Sequence, residues 1–283
     1  MKILISGATG FVGSNLINGL LGEGGYDIVA TSRHLEKAKK FDWFDRVTYI
    51  PYDLSIDANN INLNSYFGNP DKFIHLAWED LTDYNSPSHI EIYLFQHYNF
   101  IKNFIKNGLR EVVITGTCFE YGLKNGALSE RMPVSPINAY AISKDTLHKF
   151  ISELKNQYDF NYKWIRLFYI YGSGQSEHTL MSLLDRAIDS ESKEFNMSGG
   201  EQLRDYLHID DVVSNLILLT KQNECINQSI NCCSGVPISI RKLVENHLLS
   251  KKCKLKLNLG FYPYPKHEPM AFWGDDKILK RLV

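Results

Sequence analysis

The sequence has little of what frames a small secreted domain. Cysteine occurs five times in 283 residues, as Cys118, Cys225, Cys232, Cys233 and Cys253. The number is odd, two are adjacent and no C-x-x-C is present. That argues against a disulfide framework or a zinc site and fits a reducing cytoplasm. No charge of one sign dominates: 31 Lys and Arg against 32 Asp and Glu leave a formal net charge of −1. The chain therefore offers no basic field to draw nucleic acid or an anionic membrane. No apolar run approaches the ~20 residues of a membrane span, and Gly7 breaks the N-terminal apolar stretch too early for a signal-peptide core. Repeats and low-complexity linkers are missing as well. What remains is a length and an ordinary composition that suit one large α/β unit with an added lobe.

The chain is organised around its start, MKILISGATGFVG. Ile3, Leu4 and Ile5 form the short apolar run of a buried parallel strand. Gly7, Gly10 and Gly13 punctuate the turn into a helix beginning near Phe11. The G-x-x-G-x-x-G spacing is one residue longer than a common dinucleotide fingerprint, with the same physics. Gly7 permits a tight turn, Gly10 lets backbone approach a pyrophosphate, and Gly13 lets helix pack on strand, with the helix N-terminus facing the anion.

Strands then alternate with helices: strands over Asp27–Thr31, 47–51, 72–77, 112–115 and 162–168, with helices over 89–107 and 138–158. Such alternation predicts a Rossmann-like, doubly wound parallel sheet with helices on both faces. The pattern loosens later. Helices are expected over 178–189, 210–220 and 240–248, and strands over 195–198, 230–233 and 254–259. The division expected is a dinucleotide-binding domain of 1–168 plus 205–233, and a smaller C-terminal α/β substrate lobe of 169–204 plus 234–283.

Ligands of open α/β sheets sit outside the carboxyl ends of the strands. Thr117 follows one such strand. Tyr140 and Lys144, four apart on a helix, face the same way. A phenol with a free pKa of ~10 is a poor base. A nearby ammonium stabilises its phenolate, so the phenol can exchange a proton with a substrate hydroxyl while hydride moves on the carbon. Thr117 is placed to hydrogen-bond the same oxygen.

With these residues in view, the chain resembles the extended short-chain dehydrogenases/reductases, in the branch of NAD(P)-dependent nucleotide-sugar epimerases, dehydratases and reductases. Residues 7–13 match the family's glycine turn. Asp53 and Leu54 match its adenine contact, and His75, Leu76 and Ala77 its H-L-A strand end. Residues 115–122 match its Ser/Thr segment ending in Tyr-Gly, and Tyr140 with Lys144 its catalytic pair. Arg166 to Gly172 with Gln175 match its R-x-x-x-x-Y-G…Q loop. Arg204, Asp205 and Tyr206, with His208 and Asp211, match its R-D-[FY]-x-H-x-x-D segment. Within the branch, T-G-T-C-F-E-Y-G resembles the dTDP-4-dehydro-6-deoxyglucose reductases that form dTDP-D-fucose.

The resemblance implies catalysis by Thr117, Tyr140 and Lys144. It implies cofactor contacts from Gly7, Thr9, Gly10, Phe11, Val12, Gly13, Ser32, Arg33, Asp53, Leu54, Leu76 and Ala77, besides Tyr140 and Lys144. Substrate contacts are implied for Trp78, Cys118, Glu120, Tyr169, Gln175, His178, Arg204 and Glu268, and no metal. It further implies a nucleotide-diphosphate sugar as substrate, a homodimer built through helices 89–107 and 138–158, and products that feed surface polysaccharides.

Departures from the family pattern sharpen these expectations. Thr31, Ser32 and Arg33 stand where NAD users often carry an acidic residue, and a guanidinium suits a 2′-phosphate. NADP(H) is therefore expected over NAD(H). Cys118 and Phe119 replace the Asp-Glu pair of sugar 4,6-dehydratases, which sets β-elimination aside. Tyr169 replaces the usual Asn, a substrate contact. His178 stands where GDP-fucose synthases have a catalytic histidine, but Phe119 stands where their partner cysteine belongs, so His178 reads as a lining or surface residue. Glu120 reads as a substrate contact or a brace of its loop. The tail 262–273, with Lys266, His267, Glu268 and Trp273, resembles the family's substrate lobe. The expected activity is NADPH-dependent reduction of the C4 keto group of a nucleotide-linked 4-keto-6-deoxy sugar. The rivals are a 4-epimerase that keeps its cofactor, and a non-catalytic dinucleotide sensor.

Overall fold

Alternate residues of the first strand enter opposite cores, which is what places helices on both faces of the sheet. In β1 (Lys2–Ser6), Ile3 and Ile5 join one apolar core and Leu4 the other. The computed structural model describes residues 1–58, 60–222, 227–264 and 268–282. Cys225, Lys266 and His267 lie outside the described residues.

The order continues α1 (Phe11–Glu23), β2 (Asp27–Thr31), α2 (Leu35–Ala38), β3 (Thr48–Tyr49), α3 (Leu63–Tyr66) and β4 (Lys72–His75). A π turn at His89–Tyr93 runs into α4 (Leu94–Lys106), followed by β5 (Glu111–Thr117), β6 (Gly126–Leu128), α5 (Ala139–Leu154) and β7 (Asn161–Leu167). Then come β8 (Tyr169–Tyr171), α6 (Leu180–Asp189), β9 (Glu194–Asn196), β10 (Leu203–His208), α7 (Ile209–Lys221) and β11 (Gln228–Cys232). The chain closes with β12 (Pro237–Ser239), α8 (Ile240–Ser250), β13 (Lys256–Asn258), β14 (Phe272–Gly274) and α9 (Lys277–Leu282).

The main sheet has seven strands in the order β11-β7-β5-β4-β1-β2-β3, and every neighbouring pair is parallel. The expected Rossmann-like doubly wound sheet is therefore present. One face is covered by α1 and α7, through Leu16, Leu20, Val212 and Leu216. The other is covered by α4 and α5, through Phe100, Phe104, Leu147 and Ile151. Strand order reverses at β1, which pairs with both β2 and β4. That reversal opens the crevice in which such sheets bind ligands.

The later chain builds smaller sheets, β12-β10-β8, β13-β9 and β14-β6, around a separate core of Met181, Leu184, Phe195 and Val244. We propose the same two-part division that the sequence suggests, with two elements crossing it. β10 pairs with β8 and β12 rather than with the main sheet, and Leu279 of α9 packs into the core beneath α1 and α7. Strands β6, β8, β10, β12 and β14 have no counterpart in the sequence reading; all but β10 have three residues, too few to display a period. The long helix expected over 89–107 has its first turn widened to π geometry.

Candidate active site

The glycine turn is fixed by two close approaches. Gly7 has φ +73°, and a Cβ there would lie 2.7 Å from the backbone nitrogen of Ala77. A Cβ on Gly13 would lie 2.2 Å from the carbonyl oxygen of Gly7. The turn is thereby pressed onto the end of β4 on one side and onto α1 on the other. Gly10 caps α1 with no side chain, and the first turn of α1 holds no acidic residue. Its N–H groups are left to meet an anion. Nearby, the buried hydroxyl of Thr31 has no protein partner. These residues fit a dinucleotide: a cradle free of side chains, a positive helix end and an unsatisfied polar group beside it.

Thr117, Tyr140 and Lys144 come together at the carboxyl end of β5. Asn138 caps α5, its Oδ1 accepting from Ala141 N at 2.8 Å, and Tyr140 N donates to Tyr84 O at 3.0 Å. The side chain of Thr117 lies close enough to the phenol to favour its ionised form. One turn on, Lys144 Nζ donates to Thr115 O at 2.9 Å and lies 4.2 Å from the ring centre of Trp78. Burial is the largest influence on both groups. It pushes the phenol of Tyr140 well up, aided by Tyr84 and the Glu120 carboxylate and opposed by Thr117. It pushes the Lys144 ammonium down to about 7, against the carboxylates of Glu120 and Glu79.

Of the two expectations for Glu120, the structure corrects the substrate contact and shows the loop brace: it is not at the mouth of the site. It is fully buried and accepts from Thr117 N at 2.9 Å, Trp164 Nε1 at 3.0 Å and Arg166 Nε at 2.6 Å. It braces the Thr117 turn from behind, as the second half of a capping box. His178 is exposed at the entry to α6, its backbone nitrogen donating to Ser176 Oγ at 3.4 Å, and it is not brought to Tyr140. Gln175 lines a separate cavity of about 470 Å³ with Tyr171, Asp185, His208 and His247. Cys118 is buried beside Phe119 in a small apolar recess that Tyr84, Glu268 and Phe272 also line. Burial raises its thiol pKa, so it stays neutral. Arg204 Nη2 donates to Glu268 Oε2 at 2.7 Å, and Tyr169 OH donates to the same oxygen at 3.1 Å. Sequence reasoning missed Tyr84, which stacks on Tyr140 at 5.3 Å. It comes from an irregular loop with no period to announce it.

Asp53, for which the resemblance implies an adenine contact, accepts at Oδ1 from Ser55 N at 2.9 Å, and that bond holds its carboxyl below the ordinary range. Leu54, Leu76, Phe11 and Val12 pack half-buried on the two cores.

Residues 3–233 match the NAD dependent epimerase/dehydratase family. The chain belongs to that family. The dTDP-6-deoxy-L-talose 4-dehydrogenase (NAD(+)) of Aggregatibacter actinomycetemcomitans is 26% identical over 97% of this chain and 99% of its own length. The GDP-6-deoxy-D-talose 4-dehydrogenase of the same organism is 24% identical over 87% of this chain and 78% of its own. Among solved structures, the UDP-glucuronic acid 4-epimerase of Bacillus cereus, solved with UDP-glucuronic acid and NAD, superposes with a TM-score of 0.84 at 21% identity. That match covers 100% of this chain and 93% of the other.

These relatives overturn the preference for NADP(H) expected from Ser32 and Arg33: the talose dehydrogenase is named for NAD(+) and the epimerase carries NAD. The geometry supplies the reason. The Ser32 hydroxyl is already engaged, accepting from Thr9 Oγ1 at 3.1 Å and lying 2.8 Å from Tyr49 OH. Arg33 is exposed, and its charge acts on the carboxylates of Asp53 and Glu79. The Ser32 hydroxyl is therefore not free to receive a 2′-phosphate.

The ammonium of Lys144 gives a stability test. Its folded pKa, near 7, lies below the unfolded value of 10.5, so between those values the unfolded chain binds the extra proton. Stability from this group therefore rises with pH across that window and is lowest below it. Urea unfolding at pH 7 and pH 10 checks this: Lys144→Met should gain less stability over the interval than the parent protein. Equal slopes would show that Lys144 keeps its proton when folded.

Proposed function

We propose that the protein interconverts a nucleotide-linked 4-keto-6-deoxyhexose and its 4-hydroxy form with NAD(H), acting as a 4-ketoreductase in the reductive direction. The observation that carries this reading is the buried phenol of Tyr140, held in its protonated state beside Thr117. Reduction of a carbonyl needs a proton donor at the oxygen; the phenol of Tyr140 carries that proton, and the Lys144 ammonium one turn away favours its release. Cys118, Phe119 and Phe272 give the recess an apolar wall that suits the methyl group of a 6-deoxy sugar, and its one carboxylate, Glu268, is held by Arg204 and Tyr169. The 4-dehydrogenase that matches nearly the whole chain supports C4 as the reacting carbon and a dTDP-6-deoxyhexose as the substrate class. The segment T-G-T-C-F-E-Y-G keeps the D-fucose configuration as our choice of product.

NADH, held by the glycine turn, would supply the hydride that the C4 carbon takes up as its carbonyl π bond opens onto oxygen. Tyr140 passes its phenolic proton to the resulting oxygen, which Thr117 holds in place. The phenolate left behind is stabilised by the Lys144 ammonium one helical turn away. Gly7, Gly10 and Gly13 seat the pyrophosphate, and Arg204 with Tyr169 and Glu268 meets the nucleotide portion of the substrate. The protein acts in the cytoplasm on this reading, in keeping with the free thiols of Cys118, Cys232, Cys233 and Cys253. No helix among the described residues is long and apolar enough to cross a membrane.

Two outcomes are expected. NADH should be oxidised one-for-one with a dTDP-linked 4-keto-6-deoxyhexose, and Tyr140→Phe should lower turnover by a factor on the order of 10² or more while leaving NADH binding near normal by fluorescence titration. Interconversion of saturated nucleotide hexoses without added reductant would identify an epimerase instead. We also propose a homodimer. Ile92, Phe95 and Ile142 are exposed on the face of the π turn, α4 and α5 turned away from the sheet, and such a face needs a partner. Sedimentation at micromolar concentration should give the mass of two chains; a clean monomer would refute it.

A further inference from the structure

One buried cluster has no part in the chemistry above. Ser6 Oγ lies 2.7 Å from His75 Nδ1, His75 Nε2 lies 2.8 Å from His97 Nδ1, and His97 Nε2 lies 2.8 Å from Glu79 Oε2. Both imidazoles are fully buried, and only Glu79 reaches the surface. Ser6 is the last residue before the glycine turn, so the chain runs from the cofactor cradle to the loop after β4.

The direction of the chain follows from its end. An ionised carboxylate only accepts, so His97 donates through Nε2–H. Its Nδ1 then accepts from His75 Nε2–H, and His75 Nδ1 accepts from the Ser6 hydroxyl. Every link is satisfied with both imidazoles neutral and Glu79 ionised. Burial and the nearby Lys144 ammonium both disfavour a cation at His75 or His97. The charge of Glu79 is therefore not neutralised by the histidine it binds.

Trp78 joins this chain to Lys144. Its indole stacks on His97 at 4.3 Å with an interplanar angle of 11°, and the same indole carries the Lys144 ammonium at 4.2 Å. Trp78 Nε1 donates to His89 Nδ1 at 3.1 Å, and His89 Nε2 lies 2.9 Å from Asp83 O. Of the two carboxylates that favour the Lys144 ammonium, Glu120 acts more strongly and is paired with Arg166; Glu79 is the second.

We propose that Glu79 is a positioning residue for Lys144: through His97 it fixes the indole on which the ammonium rests, and its carboxylate adds a second negative charge, beside Glu120, that favours that ammonium. The proposal rests on the role given to Lys144 above. The charged and titratable groups around Lys144 are Glu79, Glu120 with Arg166, His75, His97, Tyr140 and, one contact further out, His89 on Trp78, Tyr84 on Tyr140 and Arg33 just beyond β2.

The test separates charge from shape. Glu79→Gln keeps an acceptor for His97 but removes the charge, whereas Glu79→Asp keeps the charge. In the free protein, the NMR titration of the Lys144 ε-carbon, identified by its loss in Lys144→Met, should move down by about half to one pH unit in Glu79→Gln. It should return toward the parent in Glu79→Asp. The pH profile of turnover should shift the same way, because removing a fixed negative charge lowers the pKa of both the ammonium and the phenol. ¹⁵N NMR of the unmodified protein should show His97 neutral and protonated at Nε2 at pH 7. A Lys144 titration unchanged in Glu79→Gln, or an imidazolium at His97 at pH 7, would overturn the proposal. The His97 measurement decides even where Glu79→Gln does not fold. Because the NMR readings need no substrate, an inactive protein would refute the functional reading and leave this one standing.

Discussion

The contact of Gly13 with the carbonyl of Gly7 is the constraint on which the site depends. A methyl group at Gly13 would collide with backbone, which no rotamer change relieves. With hydrogen in its place, α1 meets β1 at its carboxyl end with its N-terminus open. Gly7 in turn lies on the backbone at Ala77, so the turn, the first helix and the end of β4 share one position. Everything that follows β4, including Trp78 and Glu79, is placed relative to that point. The reversal of strand order at β1 then makes it the mouth of the crevice.

A second layer sits behind the reacting groups. Thr117 owes its place to Glu120, whose carboxylate binds the Thr117 N–H while Arg166 and Trp164 hold the carboxylate. Removing either partner of this buried ion pair would strand a charge, a loss of roughly 3–5 kcal/mol. On the opposite side, His75, His97 and Trp78 support Lys144. The two supports differ in kind: one is a neutralised pair that gives rigidity, and the other ends in a carboxylate that keeps its charge.

The fold was legible because its signals are long and periodic. The apolar strand at residues 3–5, the glycine turn and the alternation through residue 168 need only local patterning. The triad was legible because its members lie at fixed offsets from those elements. What failed to show depended on tertiary neighbours. Glu120 reads in sequence as a substrate contact or a loop brace, and only the fold, which turns it inward to Arg166, decides for the brace. Ser32 and Arg33 look like a phosphate site, and only the packing shows Ser32 engaged by Thr9 and Tyr49. Tyr84 and His97 carry no local signal, because a loop residue and a helix residue acquire meaning here through stacking on Tyr140 and Trp78.

The central claim is that hydride passes between the nicotinamide and C4 of a nucleotide-linked 6-deoxyhexose while Tyr140 moves the proton. Deuterium transfer tests it most directly. NADH labelled at the transferable nicotinamide C4 position is incubated with a dTDP-linked 4-keto-6-deoxyhexose, and the product is read by NMR. The account expects deuterium bound at C4 of the sugar, in amount equal to the NADH consumed. A 4-hydroxy product formed without deuterium at C4 would contradict it.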